Sequence, residues 1–351
     1  MPRISVVIPT YNRAALLREA IESALRQDWR DLEVVVVDDG STDATPDVAR
    51  AYAGRIVYQR QSNRGVNSAR NAAIGLATGE FIALLDSDDV WLPHAASLLA
   101  SVLGRFPLAG FAYGDFLVLR NGTTAGPGLR AWHDAAHPLE AQFERRHRHS
   151  DLQLQLPGGT GCTGFDVYEG DIYHASLFGP RVPTSGSLIR RAAMGGLAFP
   201  EHDSLCGDWE FFARLSHRAG AVYADLPVML NRSHEDEVRL TRVNAATQLA
   251  QRIDLVDRVW RQDPDFLARH GAEVDARQFE LLFAYARNRL LANDVAAARD
   301  ALTRAAAMRR GRAPMPWLAL RLASCIPGAP LALRAMRRLR DIVARRVGGG
   351  R

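Results

Sequence analysis

Residues 84–91 read LLDSDDVW, and Asp86 and Asp88 flank a single residue there, a spacing that lets both carboxylates face one hard cation. Mg2+ or Mn2+ is typically held by one or two carboxylates together with the phosphate oxygens of a substrate, so the chemistry suggested is metal-assisted handling of a phosphorylated ligand. Asp89 and Asp43 read differently: each stands before an expected helix start, where Asp is a favoured cap. Two other polar clusters, Pro9-Thr10-Tyr11-Asn12 and Asp38-Asp39, also follow apolar β-branched runs.

The positioning elements can be read from periodicity. Strands are expected at Ile4–Ile8, Leu32–Val37, Ile56–Gln59 and Phe81–Leu85. Helical patterns lie between them, one carrying Leu16, Leu17, Ala20, Ile21, Ala24 and Leu25 on one face, another over Asn67–Ala77. Strands with continuous apolar runs joined by helices imply an α/β fold, a mostly parallel sheet with helices on both faces. Ligands of such sheets bind beyond the carboxyl ends of the strands, which is where all three polar clusters fall. Residues 101–240 are less regular, with strands expected at Ser187–Ile189 and Ala221–Tyr223, a helix at Trp209–Ala219, and ERRHRHSD at 144–151 as an exposed loop. From Thr241 onward the pattern is helical, with Phe279–Ala307 a hairpin turning at Ala292-Asn293-Asp294.

Composition excludes several chemistries. All 44 basic residues are Arg, so there is no Schiff-base lysine and no P-loop lysine. Receiver domains and haloacid-type phosphatases also cluster Asp at strand ends, but both normally use a lysine on the phosphoryl group. A dinucleotide fold would show Gly-x-Gly-x-x-Gly after the first strand, where this chain has Pro-Thr-Tyr-Asn. The three cysteines, Cys162, Cys206 and Cys325, are widely spaced and read as reduced thiols of a cytosolic protein. No signal sequence or membrane-spanning run is expected.

Three ordered segments, SVVIPTYNRAALLREAIESAL, EVVVVDDGSTD and NRGVNSARNAAIGLATGEFIALLDSDDVWLP, resemble the nucleotide-diphospho-sugar glycosyltransferases of family 2, which have the GT-A fold. The resemblance is strong over residues 1–100 and weaker through 240. It implies a nucleotide-sugar-binding half at 1–100, an acceptor-binding half at 101–240 and, outside it, a basic helical region at 241–351. It places Pro9, Thr10, Tyr11, Asp39, Arg70, Asp86, Ser87 and Asp88 around the nucleotide sugar, with Asp38 supporting the loop. Asp86 and Asp88 match the Asp-x-Asp motif and, with His234, would hold Mn2+ or Mg2+. Arg70 reads equally as a solvated helix residue.

The resemblance also implies an inverting transfer with Asp208 as base, in Cys206-Gly207-Asp208-Trp209-Glu210. Gly207 replaces the family's usual Glu, and a helix N-cap is the plainer reading of Asp208. Thr184, Ser185, Trp209 and Arg232 are candidates for acceptor or phosphate contacts; a turn explains Thr184-Ser185 equally well. The absence of Gln-x-x-Arg-Trp after Asp208 disfavours a processive synthase.

Residues 302–351 hold 12 Arg and one acid among interleaved apolar residues, while the whole chain has a net charge of +5. Such a tail suits an anionic membrane surface or a helical cap with a solvated Arg face; nucleic acid is disfavoured because stacking aromatics are scarce. The expectation is a cytoplasmic enzyme, peripheral at the inner membrane face, moving one sugar from a UDP-sugar to a glycan or lipid-linked acceptor. A nucleotidyltransferase or pyrophosphorylase, and a non-catalytic nucleotide-sugar-binding scaffold, are the alternatives.

Overall fold

Seven consecutive buried residues, Ile4–Thr10, form β1. Side chains of a strand alternate between faces, so burial along the whole strand means that both faces of the sheet are covered here. In the computed structural model the described residues are 2–120, 122–126, 128–133, 137–154, 156, 164–202, 205–232, 245–308 and 324.

The first part alternates strand and helix: β1, α1 (Ala14–Leu25), β2 (Leu32–Asp38), α2 (Thr45–Arg50), β3 (Val57–Arg60), α3 (Val66–Leu76) and β4 (Phe81–Leu84). Parallel pairing aligns Ile4 with Leu32 and with Phe81, so β1, β2 and β4 deliver their carboxyl ends to one side. Pro9 is tolerated in β1 because pairing with β4 stops at Val7–Leu84, leaving no ladder bond for a missing N–H to break.

After β4 come β5 (Val90–Trp91), α4 (Ala95–Arg105), β6 (Ala109–Arg120), β7 (Thr123–Ala125), β8 (Arg145–Arg148), α5 (His149–Leu152), β9 (Asp166–Gly170), α6 (Tyr173–Ser176), β10 (Ser187–Arg190), α7 (Arg191–Met194), α8 (Gly207–Ser216) and β11 (Gly220–Arg232). They extend the same sheet in the order β3-β2-β1-β4-β10-β6-β11-β9-β8, with β5 on β11 and β7 on β6. β10 runs antiparallel to both β4 and β6 and joins the two parts into one sheet. Helix α3 packs on β1 and β2, and α4 on β6, β10 and β11.

Two expectations change. The ERRHRHSD stretch is an edge strand running into a short helix rather than a loop: Arg145–Arg148 pair with Asp166–Glu169, and α5 begins at His149. Its histidines pack on aromatic rings, His147 on Phe106 and His149 on Phe165, with His147 Nε2 3.5 Å from Glu169. Asp89 starts no helix: the two-residue β5 follows it, and α4 begins only at Ala95.

The chain divides into two compact units, Met1–Glu237 and Val238–Arg351. In the second unit, α9 (Ala245–Arg258), α10 (Pro264–Leu291) and α11 (Val295–Ala307) are the helices described. Asp263 and Asp294 cap α10 and α11 by accepting from the amides of Phe266 and Ala297, so the hairpin turn falls at Ala292–Asp294. Apart from Ser324, the basic tail beyond residue 308 lies outside the described residues. No described helix is long and apolar enough to cross a membrane.

Candidate active site

The ends of β1 and β2 are stitched into one unit. Asn12, at φ +50°, donates its amide to Ser41 Oγ at 2.9 Å and accepts from the Thr42 amide at 2.7 Å. Asp43 accepts from the amides of Ala14 and Thr45, the first residues of α1 and α2, so it caps two helices at once. Asp38 is fully buried and accepts from the Ser41 amide at 2.8 Å and the Tyr58 hydroxyl at 2.9 Å. Burial and this carboxylate push the Tyr58 phenol up to about 12. Asp39 accepts from Gln61 Nε2 and from the amides of Arg64 and Gly65, at 2.7–2.9 Å. Three acceptor positions of its carboxylate therefore hold the 61–65 loop, leaving about one for a ligand. Pro9 and Thr10 are buried beside this loop system, whereas Tyr11 is 44% exposed and open to a planar partner. Thr10 Oγ1 is buried without a hydrogen-bond partner among the described residues.

At the end of β4 the carboxylates meet cations instead. Arg70 Nη2 donates to Asp86 Oδ1 at 2.7 Å, and Arg13 Nη1 to Asp88 Oδ2 at 2.5 Å. The side chains of Asp86 and Asp88 are 29% and 24% exposed. Each keeps a second oxygen with no hydrogen-bond partner among the described residues. Oxygen donors on a half-open turn, already arranged around positive charge, fit a divalent cation. Ser87 between them is buried. Asp89 points inward, accepting from Ser185 Oγ at 2.5 Å and Asn231 Nδ2 at 3.0 Å. Burial, Asp88 and Asp86 push its carboxyl well above the usual range.

Asp208 stands in the first turn of α8, one residue past the start, while Cys206 occupies the N-cap position. The helix-cap reading of Asp208 therefore fails. Its Oδ1 accepts from the Trp209 amide at 2.7 Å and its Oδ2 from Thr184 Oγ1 at 3.2 Å. Burial raises its pKa most, with Asp86 adding to it, against Arg70, the Trp209 amide and Thr184. Arg70 is thus not a solvated helix residue. It is buried, lies 5.3 Å from the Phe199 ring centre and bonds Asn67 Oδ1 at 3.1 Å. Burial opposes its charge, but Asp86, Asp208 and Asp88 outweigh that and raise its pKa. One guanidinium therefore couples the β4 turn to the carboxylate on α8.

The same arrangement explains Gly207. A Cβ there would come within 2.0 Å of Asn67 Nδ2, and Asn67 is the residue that holds Arg70. Glycine makes room for the buried cation's support where the family's usual glutamate would collide.

Other candidates lie elsewhere than an open acceptor pocket. Ser185 is 1% exposed; its hydroxyl donates to Asp89 and accepts from the Asp86 amide at 3.0 Å, so it braces the β4 turn. Trp209 is buried, with Nε1 donating to the Ser176 carbonyl at 2.7 Å. Arg232 pairs with Glu19 on α1. Thr184 is the member of this group that touches Asp208. His234 lies outside the described residues. Sequence reasoning missed Arg13, Asn67, Phe199 and Asn231. A signal existed for Arg13: carboxylates converging in a lysine-free chain require arginines, and Arg13, like Arg70, stands in one of the motif segments.

Residues 5–163 match the model of Glycosyl transferase family 2. Over 104 residues the chain is 38% identical to an uncharacterised glycosyltransferase of Rickettsia prowazekii, covering 30% of this chain and 33% of that protein. Over 140 residues it is 38% identical to the GalNAc(5)-diNAcBac-PP-undecaprenol beta-1,3-glucosyltransferase of Campylobacter jejuni, covering 37% and 44%. The matches span less than half the length of these relatives. Among solved structures, S. aureus TarS 1-349 in complex with UDP-GlcNAc superimposes with a TM-score of 0.55 at 17% identity, over 92% of this chain and 90% of that one. Mannosyltransferase PcManGT from Pyrobaculum calidifontis, in complex with GDP-Man and Mn2+, gives 0.55 at 20% identity over 100% and 88%. The fold is therefore GT-A-like, and residues 5–163 of this chain are a family 2 glycosyltransferase domain.

Proposed function

We propose that the chain is a metal-dependent, inverting glycosyltransferase that moves a single sugar from a nucleotide-diphospho-sugar to a hydroxyl acceptor. The observation that carries this reading is the coupling of Asp86 to Asp208 through buried Arg70: the Asp-x-Asp turn after β4 and a base candidate on α8 share one buried guanidinium.

Tyr11 and the Asp39 loop would take the nucleobase, with Asp86 and Asp88 as ligands of Mn2+ or Mg2+. The bound ion supplies charge neutralisation for the departing nucleoside diphosphate. Asp208 accepts the proton of the acceptor hydroxyl, whose oxygen attacks the anomeric carbon from the face opposite the diphosphate. A raised carboxylate pKa suits this role, because a base closer to the working pH is a better proton acceptor. Thr184 orients Asp208 by donating to one of its oxygens.

UDP-GlcNAc in the TarS complex supports a uridine nucleotide as donor, and GDP-Man in PcManGT makes guanosine the alternative. A glycan or lipid-linked acceptor at the inner membrane face is supported by the Campylobacter relative, whose name carries a PP-undecaprenol acceptor, and by the basic tail. The lysine-free composition counts against a pyrophosphorylase, and the base-like setting of Asp208 against a non-catalytic scaffold.

The test is a screen of UDP- and GDP-sugars with Mn2+ or Mg2+, following release of free nucleoside diphosphate with wild type and Asp208→Asn. Metal-dependent release by wild type that disappears in the variant is expected. Equal release by both contradicts the mechanism.

A further inference from the structure

Two carboxylates on different elements depend on one buried cation: Arg70 of α3 bonds Asp86 after β4 and lies in the field of Asp208 on α8. Hydrogen bonds hold only the tip of this side chain. Nη2 is held by Asp86 and Nη1 by Asn67 at 3.1 Å, while the buried Nε has no hydrogen-bond partner among the described residues. A planar guanidinium on a stem of several rotatable bonds needs a surface to set its plane. The Phe199 ring provides one. It is 2% exposed, with the guanidinium carbon 5.3 Å from its centre and the Phe211 ring of α8 stacked on it at 4.0 Å and 8°. A cation over an aromatic face is attracted most where water is excluded.

Phe199 is itself docked by α3. Asn71 grips both polar groups of its backbone, accepting from the amide at 2.8 Å and donating to the carbonyl at 2.9 Å, and Asn67 donates to the Pro200 carbonyl at 2.9 Å. Asn67, Arg70 and Asn71 are spaced i, i+3 and i+4, so they share one face of the helix. The helix that carries the cation therefore also places the ring on which the cation lies, and Phe211 ties that ring to the helix of Asp208. The Asp86 end has a separate anchor, because its amide donates to Ser185 Oγ. What the ring adds is the place of the guanidinium relative to Asp208.

We propose that Phe199 is a positioning residue for sugar transfer: its ring holds Arg70 in the plane that keeps Asp208 aligned with a donor at the β4 turn, and Asn71 holds the ring. Being buried, Phe199 acts through Arg70 and serves the transfer step rather than donor binding. This inference rests on Asp208 as the base of the proposed reaction.

The experiment is a double-mutant cycle on wild type, Phe199→Leu, Arg70→Gln and the double variant. It follows Mn2+-dependent release of nucleoside diphosphate from the nucleotide sugar that wild type turns over, with donor KM and melting temperature recorded for each protein. Leucine keeps the site apolar but has no aromatic face. Phe199→Leu should lower kcat about tenfold to a hundredfold, the scale of a misplaced reacting group, with donor KM within about twofold of wild type. In the Arg70→Gln background the same substitution should change kcat by no more than about twofold, because the cation it acts through is gone. An equal loss in both backgrounds makes Phe199 a packing residue and overturns the proposal, and so does a raised donor KM with kcat unchanged. Should Phe199→Leu melt far below wild type, Phe199→Met, which adapts better to the ring's space, takes its place in the cycle. If wild type releases nothing from any nucleotide sugar, the proposed function fails; release by wild type with an additive cycle overturns this inference alone.

Discussion

The ends of β2 and β4 carry similar runs, Asp38-Asp39 and Asp86-Ser87-Asp88-Asp89, on parallel strands of one sheet, yet they are satisfied in opposite ways. At β2 the oxygens accept mostly from neutral donors: amides, the Gln61 side chain and the Tyr58 hydroxyl. At β4, Asp86 and Asp88 face guanidinium groups and keep an oxygen free of described partners. Neutral donors built into a loop are geometry that the fold keeps. A guanidinium on one oxygen of a carboxylate leaves the other oxygen open to a cation. Identical residue types at equivalent places thus divide into scaffold and proposed binding site by the charge of their donors.

Breaking the comparison begins with the residue that the β4 end serves. Asp208→Asn should lower transfer by about a hundredfold to ten-thousandfold, the range of general-base catalysis, with donor affinity unchanged in a nucleotide titration. At β4 itself, Asp88→Asn should abolish the Mn2+ dependence of turnover while shifting the melting temperature little, because its oxygens hold no backbone group. Asp39→Ala should do the reverse. It leaves the Arg64 and Gly65 amides without their acceptor, which costs about 2–3 kcal/mol in urea unfolding.

Sharpening it needs gentler changes. Thr184→Val removes one of the influences that hold Asp208's pKa down. Because the base works only when ionised, activity is lost as pH falls through that pKa, so the acid limb of kcat/KM should move to higher pH in the variant. A limb that stays in place would show that Asp208 is not the titrating group. The smallest effect belongs to Tyr58→Phe, which takes one donor from Asp38 and should cost about 1 kcal/mol of stability with kcat unchanged.

Much of this division was legible in the amino-acid sequence, and the remainder depends on long-range contacts. The alternation of apolar runs and helical periods marks β1, β2 and β4 because burial on both faces of the sheet shows as a continuous apolar run whichever strand is the partner. The placement of Asp38 as a loop support and Asp43 as a cap follows from local rules, since their partners lie within about twenty to thirty positions. Asp89 does not. It reads as a cap from its neighbours, but its partners Ser185 and Asn231 lie 96 and 142 positions away. Ser185 is misread for the same reason: its hydroxyl supports a turn 99 residues earlier. Gly207 reads as a departure from a motif until the Asn67 side chain is found in the space a Cβ would take. The edge strand Arg145–Arg148 also escapes periodicity, because its pairing with β9 is made by the backbone, while its three arginines point their charged side chains to solvent.

The central claim is that a nucleotide sugar is held at the end of β4 through a cation on Asp88. The most direct test is thermal unfolding of wild type and Asp88→Asn with UDP- and GDP-sugars, Mn2+, and the two together. Binding to the folded state raises the melting temperature by mass action. The account predicts a rise for wild type with nucleotide sugar and Mn2+ that exceeds the rise with either alone, and no such excess in Asp88→Asn. An equal rise in both proteins, or none in wild type with any nucleotide sugar, would contradict it.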